Sequence, residues 1–117
     1  MTEQRLIIEM GQGIDLHGKD ATKAARRAVE DAMRGSSLPI FGSTGLNPND
    51  MRVQVTVAVP TPSDVDCDAV AKTLPYGSVS VRAVQGGMQV PARDDPVLMA
   101  MASVEVFLPK QTGWKIR

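Results

Sequence analysis

Ala21, Ala24, Ala25, Ala28, Val29 and Ala32 follow one another at helical spacing, and no other feature constrains the fold of this chain more. Steps of three and four residues place all of them, with Met33, on one side of an α-helix over residues 21–34. Alanine-sized side chains let that helix lie close against a sheet. Lys23, Arg26, Arg27, Glu30 and Asp31 cover its other side. Asp20 precedes it as an N-cap, because a short carboxylate accepts from the free amides one turn in. Gly35 follows as the stop.

The remaining pattern is mostly extended. Residues 5–10 read as a first strand. Residues 51–59 alternate strictly: Val53, Val55, Val57 and Val59 point one way, Arg52, Gln54, Thr56 and Ala58 the other. Pro60 and Pro62 end that strand, and Asp64 or Asp66 caps a short helix reaching about residue 74. Residues 78–84 and 99–108 read as third and fourth strands, the third broken by Gly86 and Gly87. The expected fold is one α+β domain spanning residues 1–117, in the order β-α-β-α-β-β. It is a two-layer sandwich: a four-stranded, mostly antiparallel sheet with two helices on one face. Residues 35–50, a loop carrying the apolar island Leu38, Pro39, Ile40 and Phe41, are long enough to serve binding or an interface.

Each strand also has a partly polar side: Glu9, Arg52 with Gln54, Ser80 with Arg82, Ser103 with Glu105. If these share a face, it is either solvated or packed against copies of the chain. Met101 and Phe107 on that side favour burial, and with it a homo-oligomer.

Charge and cysteine content narrow the partners. Thirteen basic and thirteen acidic residues give a net charge of zero. That removes the basic surface on which nucleic-acid binding depends, and the attraction to an anionic membrane. Little charge repulsion keeps copies apart. Phe41, Tyr76, Phe107 and Trp114 are too few to make a base-stacking platform. Cys67 is the lone cysteine, so no intrachain disulfide forms. Together with a polar N-terminal segment, it leads us to expect a cytoplasmic protein.

Chemistry concentrates in Gly11, Gln12, Gly13, Ile14, Asp15, Leu16, His17 and Gly18, between the first strand and the helix. The glycines suggest a flexible loop. His17 is the only histidine, and the only side chain with an ordinary pKa near neutrality. Asp15, two residues earlier, falls on the same side of an extended segment. It is therefore placed either to orient the ring or to bond its own backbone as a turn former. Gly11, Gln12, Gly13, Gly18 and Lys19 are expected to bind the ligand, with loop amides and Lys19 holding an anionic group and Lys23 adding positive charge nearby. A metal would need further ligands, and Asp64, Asp66 and Asp68 would have to converge on the loop. Ser63 is a nucleophile candidate or, as such serines more often are, a helix cap, and Cys67, between two aspartates, is a poor thiolate.

This segment resembles the G-x-G-x-D-x-H-G motif of a family of small conserved proteins of unknown function. Leu74, Pro75, Tyr76 and Gly77, and then Val84, Gln85, Gly86, Gly87 and Met88, are also similar to that family. The resemblance implies no established activity. A weaker likeness links Met10, Gly11, Gly18, Asp20, Ala21, Thr22 and the following helix to one repeat of the cyanuric acid hydrolase and barbiturase family. Those enzymes join three such units around a central site, so the likeness implies a trimer. Gln12 stands where that family carries lysine, and Pro60, Thr61, Pro62 and Ser63 replace its Ser-Gly-Gly segment.

Two functions follow as expectations. The first is acid–base, hydrolase-type turnover of a small polar or anionic metabolite at a subunit interface, with His17 and Asp15 as the catalytic pair. The second is a non-catalytic ligand-binding or structural homo-oligomer, a trimer or larger. Residue types alone identify neither a cofactor nor a metal.

Overall fold

The alanine stripe forms the helix expected of it, α1 (Ala21–Arg34), and every alanine in it is buried. The computed structural model of the protein describes residues 3–17, 20–34, 50–74, 77–92 and 94–109. Gly18, Lys19, Gly35, the apolar island at 38–41, Tyr76 and the tail beyond residue 109 lie outside these. Asp20 is the cap: its carboxylate accepts from the Lys23 N–H at 2.9 Å, and its carbonyl from the Ala24 N–H at 3.1 Å.

Strands β1 (Glu3–Asp15), β2 (Arg52–Val59), β3 (Ser78–Gln85), β4 (Met88–Val90) and β5 (Val97–Pro109) make one sheet. The spatial order is β1-β5-β2-β3, with β4 also on β5, beyond the end of β2. A 3₁₀ turn (Pro62–Asp64) and helix α2 (Cys67–Ala71) link β2 to β3. Asp66 caps α2, accepting from the Ala69 N–H at 3.1 Å. Asp66→Ala is expected to cost about 1 kcal/mol in a urea denaturation measurement.

The expected sheet is corrected in two respects. It has five strands, because Met88–Val90 pairs with Val97–Met99. It is also mixed, because β2 and β3 run parallel, joined by the crossover through α2. Gly87 makes the added strand accessible. Its φ of +67° turns the chain sharply out of β3, and a side chain there would run into the backbone carbonyls of Met99 and Ala58.

The core lies between α1 and one face of this sheet. Val53, Val55, Val57 and Val59 from β2 meet Ala100, Ala102, Val104, Val106 and Leu108 from β5 beneath the helix. A buried valine contributes about 1.5–3 kcal/mol and a methyl group much less, so the strands supply most of the apolar burial. Among the described residues, no helix is long and apolar enough to cross a membrane.

The first strand departs most from expectation. It continues through the glycines to Asp15, so the presumed loop is extended backbone paired with β5. A bulge between Arg5 and Ile7 adds one residue to β1. One extra residue exchanges the faces of every side chain after it. Arg5 thus lies opposite Phe107 on the open face, while Ile7, Glu9, Gly11, Gly13 and Asp15 pair with Val106, Val104, Ala102, Ala100 and Leu98 on the helix face. Glu9, expected on the polar face, is therefore turned inward. Arg52, Gln54, Ser80, Arg82, Ser103 and Glu105 do share the open face.

Candidate functional site

Gly11 and Gly13 are where α1 touches the sheet most closely. A methyl group on Gly11 would stand 2.6 Å from the Ala28 carbonyl oxygen, and closer still to the Ala32 nitrogen. On Gly13 it would stand 2.6 Å from Arg27 Cβ, and closer still to the backbone of Ala24 and Ala28. Neither glycine has a positive φ among the described residues. Their part is to let helix backbone rest on strand backbone, with alanine on one side and no side chain on the other.

Gln12 lies between them, on the opposite face at the outer edge of β1. Its N–H points away from β5 and donates to Asp31 Oδ2 at 3.0 Å. Arg27 Nη1 donates to the Ile14 carbonyl on the same edge. Side chains of α1 thus satisfy two groups that an edge strand would otherwise leave open. Between this edge and α1 runs an open cleft of about 450 Å³, lined by Gln12, Gly13, Ile14, Arg27, Glu30, Asp31 and Arg34. Arg34 pairs with Asp31 there at 3.2 Å.

Asp15 ends the strand and is 3% exposed, the one buried charged residue among those described. Oδ2 accepts from the Asp20 N–H at 3.2 Å and Oδ1 from the His17 N–H at 3.4 Å. Lys23 Nζ lies 3.7 Å from Oδ1. Burial alone would raise the carboxyl pKa. The N–H donors of Asp20 and His17 oppose it, as do the charges of Lys23 and Arg27, and the net result holds it below the usual carboxylate range. The carboxylate stays ionised at neutral pH and holds the β1–α1 corner from inside.

His17 is exposed, in the turn after β1. The turn separates it from Asp15. The Asp-x-His spacing would put both side chains on one side only if the strand continued, and it ends at Asp15. The carboxylate meets the backbone N–H of His17, not its ring. The structure therefore brings Asp15, the His17 backbone, Asp20, Lys23 and Arg27 together, and separates Gly11 and Gly13 from the corner. Lys23, read as positive charge near the loop, does reach the corner, while Arg27 was missed as a site residue. Its signal was present: it stands four residues after Lys23 on the polar side of the helix whose first turn abuts Asp15. Ser63 lies in the 3₁₀ turn after β2, and Cys67 opens α2. Among the described residues, no three His, Cys, Asp or Glu side chains stand together as a metal site.

Comparison with known proteins places this architecture. No curated protein matches the chain. A crystal structure at 1.22 Å resolution of an FtsZ-like protein of unknown function, from Nostoc punctiforme PCC 73102, superposes with a TM-score of 0.84. The two sequences are 40% identical, over 94% of this chain and 99% of that one. A family profile described as conserved hypothetical protein (Lin0512_fam) matches residues 5–106, which hold all of β1 after its first two residues, α1, the cap at Asp20 and the Asp15 corner. By that match this chain belongs to the Lin0512 family of conserved hypothetical proteins.

Proposed function

We propose that this protein is a ligand-binding module whose β1–α1 corner receives a small polar or anionic molecule, with His17 as the contacting group. One observation carries this reading: the buried Asp15 carboxylate fixes the corner through two backbone N–H groups and leaves the imidazole beside it facing solvent. A corner held from inside pre-organises whatever it presents outside. Lys23 and Arg27 give it positive charge suited to a carboxylate or phosphate, and Lys19 adds to that charge in the sequence. The single thiol fits a reducing cytoplasm.

Turnover is the second reading. His17 would move the proton, as the acid–base expectation has it, but its orienter would have to be a group other than Asp15, whose oxygens are already engaged. The likeness to a cyanuric acid hydrolase repeat offers no lysine for turnover, with Gln12 in that position and on the open face.

A thermal-shift screen of small carboxylates and phosphates, run on wild type and His17→Ala, tests both. Binding predicts a ligand that raises the wild-type melting temperature and leaves the variant unmoved. Product formed by wild type and lost in His17→Ala would transfer the assignment to catalysis. Equal shifts in both proteins would remove His17 from the site.

A further inference from the structure

The face of the sheet opposite α1 is divided along the strands. One end is charged, and its charges are paired within the chain. Arg52 meets Glu3 at 2.8 Å and lies 4.1 Å from the centre of the Phe107 ring, and Arg5 meets Glu105 at 3.0 Å. The other end is apolar and bare. The register sets Met101, Ala58 and Val84 in one row across β5, β2 and β3, with Met88 next to Met99 beyond them; Met10, opposite Ser103 one row back, lines a recess with Ala58 and Met101. Met10 is 69% exposed, Met88 53% and Met101 43%. Large apolar side chains gathered so closely on one monomer mark an interaction surface.

We propose that a second copy of this chain covers that face, packed sheet to sheet about a two-fold axis running along the strands. The division of the face selects the axis. Rotation about a line across the strands would lay the apolar end on the charged end. Rotation about a line along them lays apolar on apolar and exchanges the β1 side with the β3 side. An isologous contact needs one patch that complements itself, and this one does.

The rims agree with that choice. Arg82, on β3, donates to Thr56 Oγ1 at 3.0 Å and forms no ion pair among the described residues. On the β1 side, Met10, Gly11, Gln12, Met101 and Asp31 line a recess of about 400 Å³. The exchange carries Arg82 of each copy to the recess of the other, where Asp31, 38% exposed and already shared between the Gln12 N–H and Arg34, supplies a carboxylate that a second guanidinium can join. The contact forms twice. Strands about 4.8 Å apart, rising about 3.4 Å per residue, give the face a projected area on the order of 600 Å². Side-chain relief brings that near the roughly 800 Å² per partner of a standard interface. Zero net charge leaves little repulsion to oppose it.

The inference rests on none of the ligand-site residues, so either reading stands if the other fails. The test is sedimentation velocity on the full chain over a concentration series. Wild type is expected to dimerise. Met10→Glu with Met101→Glu should give a monomer that still unfolds cooperatively by circular dichroism. Arg82→Glu should weaken the dimer by about tenfold or more, and pairing it with Asp31→Lys should recover most of that loss. A wild-type monomer at every concentration overturns the proposal. So does an oligomer indifferent to Arg82→Glu and to the methionine changes. A monomer whose Met10 resists oxidation also overturns it, because another part of the chain would then cover the face.

Discussion

Gly13→Ala is expected to destabilise the protein by about 3 kcal/mol, and the double change Gly11→Ala with Gly13→Ala to leave little folded chain. The sign is the informative part. Alanine in place of glycine inside a strand ordinarily adds about 0.5–1 kcal/mol of stability, by removing backbone freedom from the unfolded chain. Here the new methyl group meets helix backbone on all sides: Ala24 and Ala28 above Gly13, Ala28 and Ala32 above Gly11. Backbone atoms cannot rotate out of the way as a side-chain tip can, so the whole of α1 must lift. Lifting it opens gaps over Val104 and Ala102, which are buried beneath it. Gln12→Ala is the control. Its side chain is exposed and its N–H bond to Asp31 survives, so a change within about 0.5 kcal/mol is expected. Urea unfolding of the three proteins measures this, and a stabilised Gly13→Ala would show that the helix does not rest on the strand.

Asp15→Ala should cost about 3 kcal/mol by the same measurement, with no ligand present. It removes two hydrogen bonds to a charged acceptor, from the part-buried N–H groups of His17 and Asp20, at about 1.5 kcal/mol each. Asp15→Asn should recover part of this, because one amide oxygen remains to accept. Acid supplies a second readout. The folded carboxyl is held below its unfolded value, so its contribution is complete above about pH 4 and falls away as pH drops through the folded value. The stability gap between wild type and Asp15→Asn should therefore be constant near neutrality and close below about pH 4. A gap that widened in acid would reverse the sign and refute the ionised, buried carboxylate.

Much of the fold was legible locally. Helix α1 runs over the residues whose 3.6-residue period marks it, and Asp20 caps it as its side chain and place require. The strict alternation of β2 reappears as strictly alternating burial. Such elements follow from near neighbours in the chain. The candidate site was legible in part, since the segment Gly11 to His17 does build the β1–α1 corner. The role of each residue within it was not. Flexible loop and seat for a helix both call for glycine, and the distinction lies in what stands opposite.

What the residues settle unaided is therefore the kind of the strongly patterned elements, α1 and β2 above all. Period and capping are short-range properties, readable within one or two turns. The fold alone settles which way those elements face. A single bulged position near Leu6 turns Gly11, Gly13 and Asp15 towards α1 and leaves Met10 bare, and the partner strand that defines this bulge is about a hundred residues away. Parallel pairing of β2 with β3, and the capture of β4 by β5, likewise depend on backbone bonds between distant segments, which local preference does not encode.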